Sequence, residues 1–196
     1  MRWTHLKPAD GRPVPWKNGG GTTLELAVEP RGATFDTGFA WRLSTAEVGV
    51  SGPFSAFPGL LRTLMLLTGE GMLLDFGDRG WVSLLEPLSP VVFPGDWPAT
   101  ATLVGGPCTD LNLMVDPARC SAELRTVQLD QSMVLNLEAS TVLVFVAKGT
   151  LCVPAWDLCL GQRHTLRVDG GGGSLSLVAR PGGAALVVVE IRNRNV

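Results

Sequence analysis

The feature that most constrains the fold of this chain is a succession of short apolar runs separated by glycine and proline. The 196 residues include 24 Gly and 14 Pro. Apolar runs that are too short for helices and are bounded by turn residues predict an all-β protein, a sandwich or a barrel. The predicted strands are residues 22–28, 39–48, 60–67, 72–76, 100–103, 110–115, 126–129, 141–147, 150–153, 174–179 and 184–191. One helix is predicted over residues 116–124, where Pro117 would occupy the first turn.

Two segments repeat one plan. LRTLMLLTGEGMLLDF (residues 61–76) and STVLVFVAKGTLCV (residues 140–153) each read as an apolar strand, a glycine turn and a second apolar strand. A closing apolar strand follows in each case, at residues 111–115 and 186–191. Because a single unit of this kind leaves a sheet face uncovered, the repeat predicts two β halves, residues 1–118 and 119–196, packed as one compact unit.

Composition and charge exclude several classes of function. The chain is 45% hydrophobic and 17% charged, which indicates a folded protein, and its net charge is −2 with no basic run, which argues against a nucleic-acid partner. A signal-peptide pattern and a membrane-length apolar run are both missing from the sequence, so we expect no membrane association and a cytoplasmic location. A homodimer stays open. In that compartment the four cysteines, Cys108, Cys120, Cys152 and Cys159, are expected to be thiols.

Catalytic and metal-binding patterns are poor. His5 and His164 are the only histidines, so a three-histidine metal cage is impossible, and both are expected to be surface or structural residues. No Ser-His-Asp or Cys-His signature is present. We therefore expect no metal and no cofactor.

Period-two alternation collects polar side chains on one face of three predicted strands. Leu24, Leu26 and Val28, then Phe39, Trp41 and Leu43, then Leu111, Leu113 and Val115 form the apolar faces. The polar positions are Thr23, Glu25, Arg42, Ser44, Asp110 and Asn112, and Arg62 interrupts a further apolar strand. The alternation alone favours a solvated sheet face. The alternative is an interior face on which the carboxylates balance the arginines around a polar ligand, for which paired guanidinium groups suit a carboxylate.

Two loops could complete such a site. WKNGGGTT (residues 16–23) places Trp16 and Asn18 beside three glycines, either as a ligand-hugging turn or as a plain strand entry. GPFSAFPG (residues 52–59) brings Phe54 and Ser55 near Arg62, although its proline and glycine residues are typical of an ordinary turn.

At these positions the chain resembles the HutD/Ves family of cupin-like proteins. The resemblance is carried, in order, by WKNGGGTTLE (16–25), AWRLSTAEV (40–48), GPFSAFPGLLRTLMLLTGEGMLL (52–74), TDLNLMV (109–115) and the shorter RHTLRV (163–168). It implies a bicupin-like double-stranded β-barrel or sandwich with two cupin-like halves in one chain. It also implies an association with histidine utilisation, in which such proteins are thought to sense or restrain pathway flux.

The resemblance shifts the expectation toward an interior pocket. Its ligand would be a small carboxylate such as N-formylglutamate or urocanate, held without metal. The expected ligand-binding residues are Trp16, Asn18, Thr23, Glu25, Arg42, Ser44, Phe54, Ser55, Arg62, Asp110 and Asn112. Two alternatives stay open: a metal-independent enzyme with Glu25 or Asp110 as general base, and a regulatory module that binds another protein and no ligand.

Overall fold

A computed structural model describes residues 1–16 and 21–194, and its regular structure is almost entirely β-strand. The all-β prediction is therefore confirmed. The strands are β1 (Arg2–Leu6), β2 (Arg12–Pro15), β3 (Gly21–Glu29), β4 (Trp41–Val48), β5 (Gly52–Pro53), β6 (Leu61–Thr68), β7 (Met72–Asp75), β8 (Trp81–Leu84), β9 (Pro90–Pro94), β10 (Thr100–Leu103), β11 (Cys108–Val115), β12 (Cys120–Leu129), β13 (Ser132–Asn136), β14 (Thr141–Val153), β15 (Leu158–Leu160), β16 (Thr165–Asp169) and β17 (Ser174–Asn193). Single 3-10 turns lie at Pro8–Asp10, Gly77–Arg79 and Pro154–Trp156.

The chain divides into two units, and the first of these along the sequence is Gly11–Arg119. It contains a six-stranded sheet in the order β2-β3-β4-β11-β6-β9 and a four-stranded sheet in the order β5-β10-β7-β8. The outer strands of the larger sheet, β2 and β9, carry prolines, which cannot donate hydrogen bonds to a further strand. In the described residues both sheets stay open, and neither closes into a barrel.

The other unit combines Met1–Asp10 with the chain from Cys120 onward. Its seven-stranded sheet runs β1-β16-β14-β17-β12, with β13 beside β17 and β15 beside β14. The sequence prediction assigned the first ten residues to the N-terminal half. They belong here instead because β1 pairs along its whole length with β16. Apolar side chains from β14 and β17, among them Val144 and Val188, form its core.

The helix predicted over residues 116–124 is wrong. Residues from Cys120 onward form β12, which pairs with β17 from Asn193 to Ala184. Burial alternates along β12, with Ala122 and Leu124 half-buried between exposed neighbours, as a strand requires and a helix does not. Tertiary pairing thus overrides the local helix signal of Pro117.

The expectation of four thiols is also wrong for two of the cysteines. Cys152 and Cys159 face each other on the paired strands β14 and β15 and form a disulfide, with Cα atoms 4.1 Å apart. The two histidines meet in the same unit, where His5 Nε2 and His164 Nδ1 are 2.8 Å apart and share a hydrogen bond. Neighbouring strands bring them together, because β1 pairs with β16 immediately after His164.

Candidate functional site

Strand β11, inside the six-stranded sheet, brings two arginines to one level of the sheet. Met114 of β11 is paired with Arg42 of β4 on one side and with Arg62 of β6 on the other. Directly opposed residues point to the same face, so both arginines share a face with their Cα atoms roughly 10 Å apart, two strand spacings. Asn112 and Asp110 follow on that face at alternate positions of β11. The alternation predicted this shared face.

These side chains are buried. The exposed fraction is 4% for Arg42, 3% for Arg62, 1% for Asp110 and 8% for Asn112. All eight residues of β11 are buried, so both faces of this strand are covered. The solvated interpretation, which alternation alone favoured, is therefore wrong for these residues.

A bulge in β3 corrects the prediction for one residue. Glu25 pairs with Ser44, but after a register shift between Glu25 and Ala27 the residue paired with Arg42 is Val28. Val28 therefore lies on the same face as Glu25 and Arg42 and not with Leu24, where strict alternation had put it.

Glu25 holds two guanidinium groups. Its Oε2 accepts a 2.7 Å hydrogen bond from Nε of Arg42, and its Oε1 lies 3.0 Å from Nη2 of Arg12. Arg42 is buried in this ion pair, whereas about half of the Arg12 side chain is exposed. The Glu25 carboxylate is thus committed to neutralising charge within the unit.

Aromatic rings surround Arg62. Its Cζ lies 5.6 Å from the ring centre of Phe54, 5.2 Å from that of Phe57 and 5.1 Å from that of Phe93. Its Nη1 donates a 3.4 Å hydrogen bond to the backbone carbonyl of Ser55. The loop 52–59 therefore lies against the guanidinium through cation–π contacts and one backbone hydrogen bond.

A second loop covers the other arginine. The ring centre of Phe35 is 5.2 Å from Cζ of Arg42, and the Phe35 ring stacks on Phe57 with centroids 4.6 Å apart. Phe35 is 46% exposed, so this stack forms the outer surface of the cover. We call Phe35, Phe54 and Phe57 the aromatic cover.

Burial shifts the pKa values of three groups near β11. It raises the pKa of Asp110 to about 7, although Arg62 and the backbone N–H of Ala46 act in the opposite direction. It lowers the pKa of Arg62 to about 10, with Asp110 opposing and Arg42 reinforcing that change. It raises the pKa of the Cys108 thiol to about 11, and the Asp110 charge adds to this. Asp110 is thus the group here that changes charge near neutral pH.

Three buried polar atoms of the site have no hydrogen-bond partner within residues 1–16 and 21–194. They are Nε of Arg62, Oδ1 of Asp110 and Oδ1 of Asn112, which we call the open atoms. Buried polar groups in folded proteins are normally satisfied by protein, water or a ligand. One donor and two acceptors of the cluster are therefore available to a bound molecule.

The other predicted residues that the structure describes lie around this cluster. Trp16 Nε1 donates a 2.8 Å hydrogen bond to Oγ1 of Thr23, and the Trp16 ring meets Phe54 edge to face at 5.7 Å. Ser44 Oγ donates to the backbone carbonyl of Asn112 at 3.4 Å, so its hydroxyl hydrogen is used inside the sheet. The side chain of Ser55 is exposed, and only its carbonyl enters the cluster. Asn18 lies outside the described residues.

Sequence reasoning missed Arg12, Phe35, Phe57 and Phe93. Phe57 stands in the same loop as Phe54, so that loop held a signal for it. Arg12 and Phe93 lie on the edge strands β2 and β9, which were not predicted. Phe35 comes from a turn region with no distinguishing pattern, and only the fold carries it to Arg42.

The rest of the described chain offers a surface groove and no cluster of metal-ligating side chains. An open groove lies at the far end of the same strands, between Gly21, Glu47 and Thr109, away from the arginines. In the part of the chain that the structure describes, no group of three or more His, Cys, Asp or Glu side chains could hold a metal ion. Within that same part we find no helix whose length and hydropathy would let it cross a membrane.

The fold is that of cupin-like all-β proteins. The E. coli protein Ylba resembles the chain with a TM-score of 0.71 over 99% of the chain and 92% of Ylba. The E. coli pirin YhhW resembles it with a TM-score of 0.67 over 96% of the chain and 98% of the pirin. Identities of 8% and 10% mean that these similarities concern the fold alone.

A family model described as HutD matches residues 9–187, and the chain belongs to this family. A Pseudomonas putida relative, "Uncharacterized 21.2 kDa protein in hutC 3'region", is 39% identical over 74% of the chain and 73% of that protein. Protein Ves of Citrobacter koseri is 40% identical over 56% of each chain. HutD from Pseudomonas fluorescens SBW25, solved in a formate condition, is 35% identical with a TM-score of 0.85 over 99% of the chain and 100% of HutD. The conserved protein PA5104 from Pseudomonas aeruginosa PAO1 is 32% identical with a TM-score of 0.89 over 98% of the chain and 100% of PA5104.

Proposed function

We propose that the unit Gly11–Arg119 binds a small carboxylate-bearing metabolite at the buried cluster around β11. The observation that carries this proposal is the pair of buried arginines, Arg42 and Arg62, on one face at one level of the sheet. Guanidinium groups bind carboxylates through paired, charge-assisted hydrogen bonds, and they do so most strongly where water is excluded.

The charge of the cluster supports an anionic ligand. Arg12, Arg42 and Arg62 supply three guanidinium groups against the two carboxyl groups of Glu25 and Asp110. Because burial raises the pKa of Asp110 to about 7, that carboxyl carries only part of a negative charge at neutral pH. A ligand with one or two carboxylates would balance this excess of positive charge.

Entry to the cluster would require the aromatic cover to open. Phe35 and Phe57 come from two separate loops, and their rings stack on each other with 46% of Phe35 exposed. An aromatic pair is worth about 1 kcal/mol, so separating this stack would cost little compared with unfolding a strand. A bound ligand would lie against the guanidinium groups with the rings closed over it.

The family membership supports a ligand from histidine utilisation and a role in sensing or restraining flux through that pathway. N-formylglutamate and urocanate are the first candidates, since both are small carboxylates. The bicupin arrangement, with one cupin-like half in each unit, is part of the same proposal.

Isothermal titration with N-formylglutamate and urocanate tests the proposal. We expect saturable binding to the native chain and at least tenfold weaker binding to the Arg62→Lys variant, which keeps the charge and loses the planar fork. Arg31→Lys is the matched control, because Arg31 is an exposed arginine of the same unit. Undiminished affinity in an Arg42→Lys, Arg62→Lys double variant whose unfolding transition is intact would refute this site.

One observation favours a second function, general-base catalysis by Asp110. A carboxyl whose pKa lies near neutral pH is suited to accept a proton. Glu25 is a weaker candidate because two arginines hold it. NMR spectra of the same two acids, recorded over many hours in the presence of the protein, distinguish the two functions. Unchanged spectra support binding alone. A product that appears with the native chain and not with Asp110→Asn supports catalysis.

A further inference from the structure

The open atoms include hydrogen-bond acceptors, which a carboxylate alone cannot satisfy. Oδ1 of Asp110 and Oδ1 of Asn112 are hydrogen-bond acceptors, and only Nε of Arg62 is a donor. These residues are at least nine-tenths buried, with 1%, 8% and 3% of their surfaces exposed. Above pH 7, where Asp110 is ionised, a ligand built only of carboxylate oxygens could satisfy Arg62 and would leave both acceptors facing further acceptors.

The order of these groups along the sheet gives the ligand a direction. Arg42 and Arg62 share the level of Met114, while Asn112 and then Asp110 follow at alternate positions of β11. Successive positions on one face of a strand are about 7 Å apart, so an arginine side chain can reach back over Asn112. A small molecule anchored on the arginines would therefore present its other end to Asn112 and Asp110.

We infer that the site selects acids that carry an N–H donor near the carboxylate, such as N-acyl amino acids and acids with a pyrrole- or imidazole-type ring, over plain carboxylic acids. The inference rests on the proposed carboxylate site. The carboxylate binds Arg42 and Arg62, and the N–H is donated to the acceptors of Asn112 and Asp110. A ligand without the N–H leaves buried acceptors unsatisfied. Leaving a buried polar group without a partner weakens binding more than removing a methylene group from the ligand does.

The inference has a pH signature at Asp110. The ionised carboxyl is the better acceptor for an N–H and the worse neighbour for a second carboxylate. The preference for an N–H acid over the analogous plain acid should therefore increase as pH rises through about 7, because the ionised carboxyl repels the carboxylate of both acids but accepts an N–H from the first alone. Arg62 of β6 and Cys108 of β11 interact electrostatically with Asp110. Further charged groups on the same sheet face are Arg42 of β4 and Glu25 of β3 with its partner Arg12 of β2. The pKa values of Arg62, about 10, and of Cys108, about 11, both lie above the window from pH 6 to 8.

Two pairs of acids that differ only by N–H against O test this inference by titration calorimetry. One pair is (E)-3-(pyrrol-2-yl)acrylate and (E)-3-(furan-2-yl)acrylate, whose rings do not titrate between pH 6 and 8. The other pair is N-formylglutamate and 2-(formyloxy)glutarate. In whichever pair binds, we expect the N–H acid to bind about tenfold more tightly than its oxygen analogue at pH 8. The advantage should shrink at pH 6.

Variants separate this inference from the proposed function. Asp110→Asn should remove the pH dependence of the N–H preference, and Asp78→Asn, at an exposed position of the same unit, should leave it unchanged. Equal affinity for the two members of every pair that binds would overturn the inference and leave the carboxylate site standing. If none of the four acids binds, and urocanate does not bind either, the proposed function fails and the inference fails with it.

Discussion

Arg42 and Arg62 are both paired with a single residue, Met114, and so they lie on one face of the sheet at the same level. The two arginines are nevertheless satisfied differently. Arg42 is neutralised by Glu25 at 2.7 Å, whereas Arg62 is held by three aromatic rings and one backbone carbonyl. Arg62 is therefore the guanidinium with more capacity left for a ligand.

The ion pairs of Glu25 predict unequal effects of two substitutions. Glu25→Gln leaves the buried Arg42 charge without its partner and should lower the free energy of unfolding by about 3 kcal/mol. Arg12→Gln removes a half-exposed partner of the same carboxylate and should cost less than about 1 kcal/mol. Urea denaturation at pH 7 compares the two. Equal losses would show that the buried pair is no more important to folding than the exposed one.

Asp110 predicts a dependence of stability on pH. Its pKa rises from an ordinary value of 3.8 to about 7 on folding, so the folded state holds this proton more tightly than the unfolded chain does. The stabilisation that comes from the protonated Asp110 carboxyl is complete below pH 4. It is lost as pH rises toward 7, and the free energy of unfolding falls by roughly 4 kcal/mol at most. Asp110→Asn should therefore gain stability relative to the native chain between pH 4 and 7, with no further change above. Parallel stability curves for the two proteins would contradict the raised pKa.

Phe35 of the aromatic cover should contribute to stability and to ligand retention although it is about half exposed. Phe35→Ala removes the ring over Arg42 and the stack on Phe57, and it should cost about 1 to 2 kcal/mol in unfolding free energy. Trp81→Ala is the control: Trp81 is a larger ring with 68% of its surface exposed, and its loss should change stability by less than about 0.5 kcal/mol. Stopped-flow binding of N-formylglutamate should show faster dissociation from Phe35→Ala, and an unchanged dissociation rate would remove Phe35 from the cover.

The disulfide predicts a specific alkylation pattern. When the protein is unfolded without reductant, Cys108 and Cys120 should react with iodoacetamide, and Cys152 and Cys159 should react only after reduction. Cys152→Ser should lower stability by about 2 kcal/mol, as expected for a short closed loop. Mass spectrometry of the alkylated chain reads the pattern directly. Four alkylated cysteines before reduction would mean that the bond does not form.

Alternation predicted the polar face correctly wherever a strand is regular. In β4 and β11 the residues assigned to one face do share it, because the side-chain period of two holds along both strands. It failed at Val28, where a bulge inserts one residue into β3, and bulges leave no simple mark in a sequence. Burial of the face was not predictable from alternation, since a solvated sheet gives the same pattern.

Features that depend on tertiary pairing were the hardest to predict. The disulfide requires Cys152 and Cys159 to lie opposite each other, a consequence of the register between β14 and β15. The position of Phe35 over Arg42 depends on the path of a turn, and no spacing rule connects the two residues. The sequence thus predicted the polar residues that the structure brings to one face and left out most of the rings that cover them.

Binding of a ligand carboxylate by Arg42 and Arg62 can be observed at the arginine Nε–H signals in ¹H–¹⁵N NMR spectra. The signals are assigned with the Arg42→Lys and Arg62→Lys variants, and N-formylglutamate and urocanate are titrated in turn. We predict saturable shifts of both signals with a single binding constant, while the Arg31 signal does not move. Binding that calorimetry detects but that leaves the Arg42 and Arg62 signals in place would contradict the proposed carboxylate site.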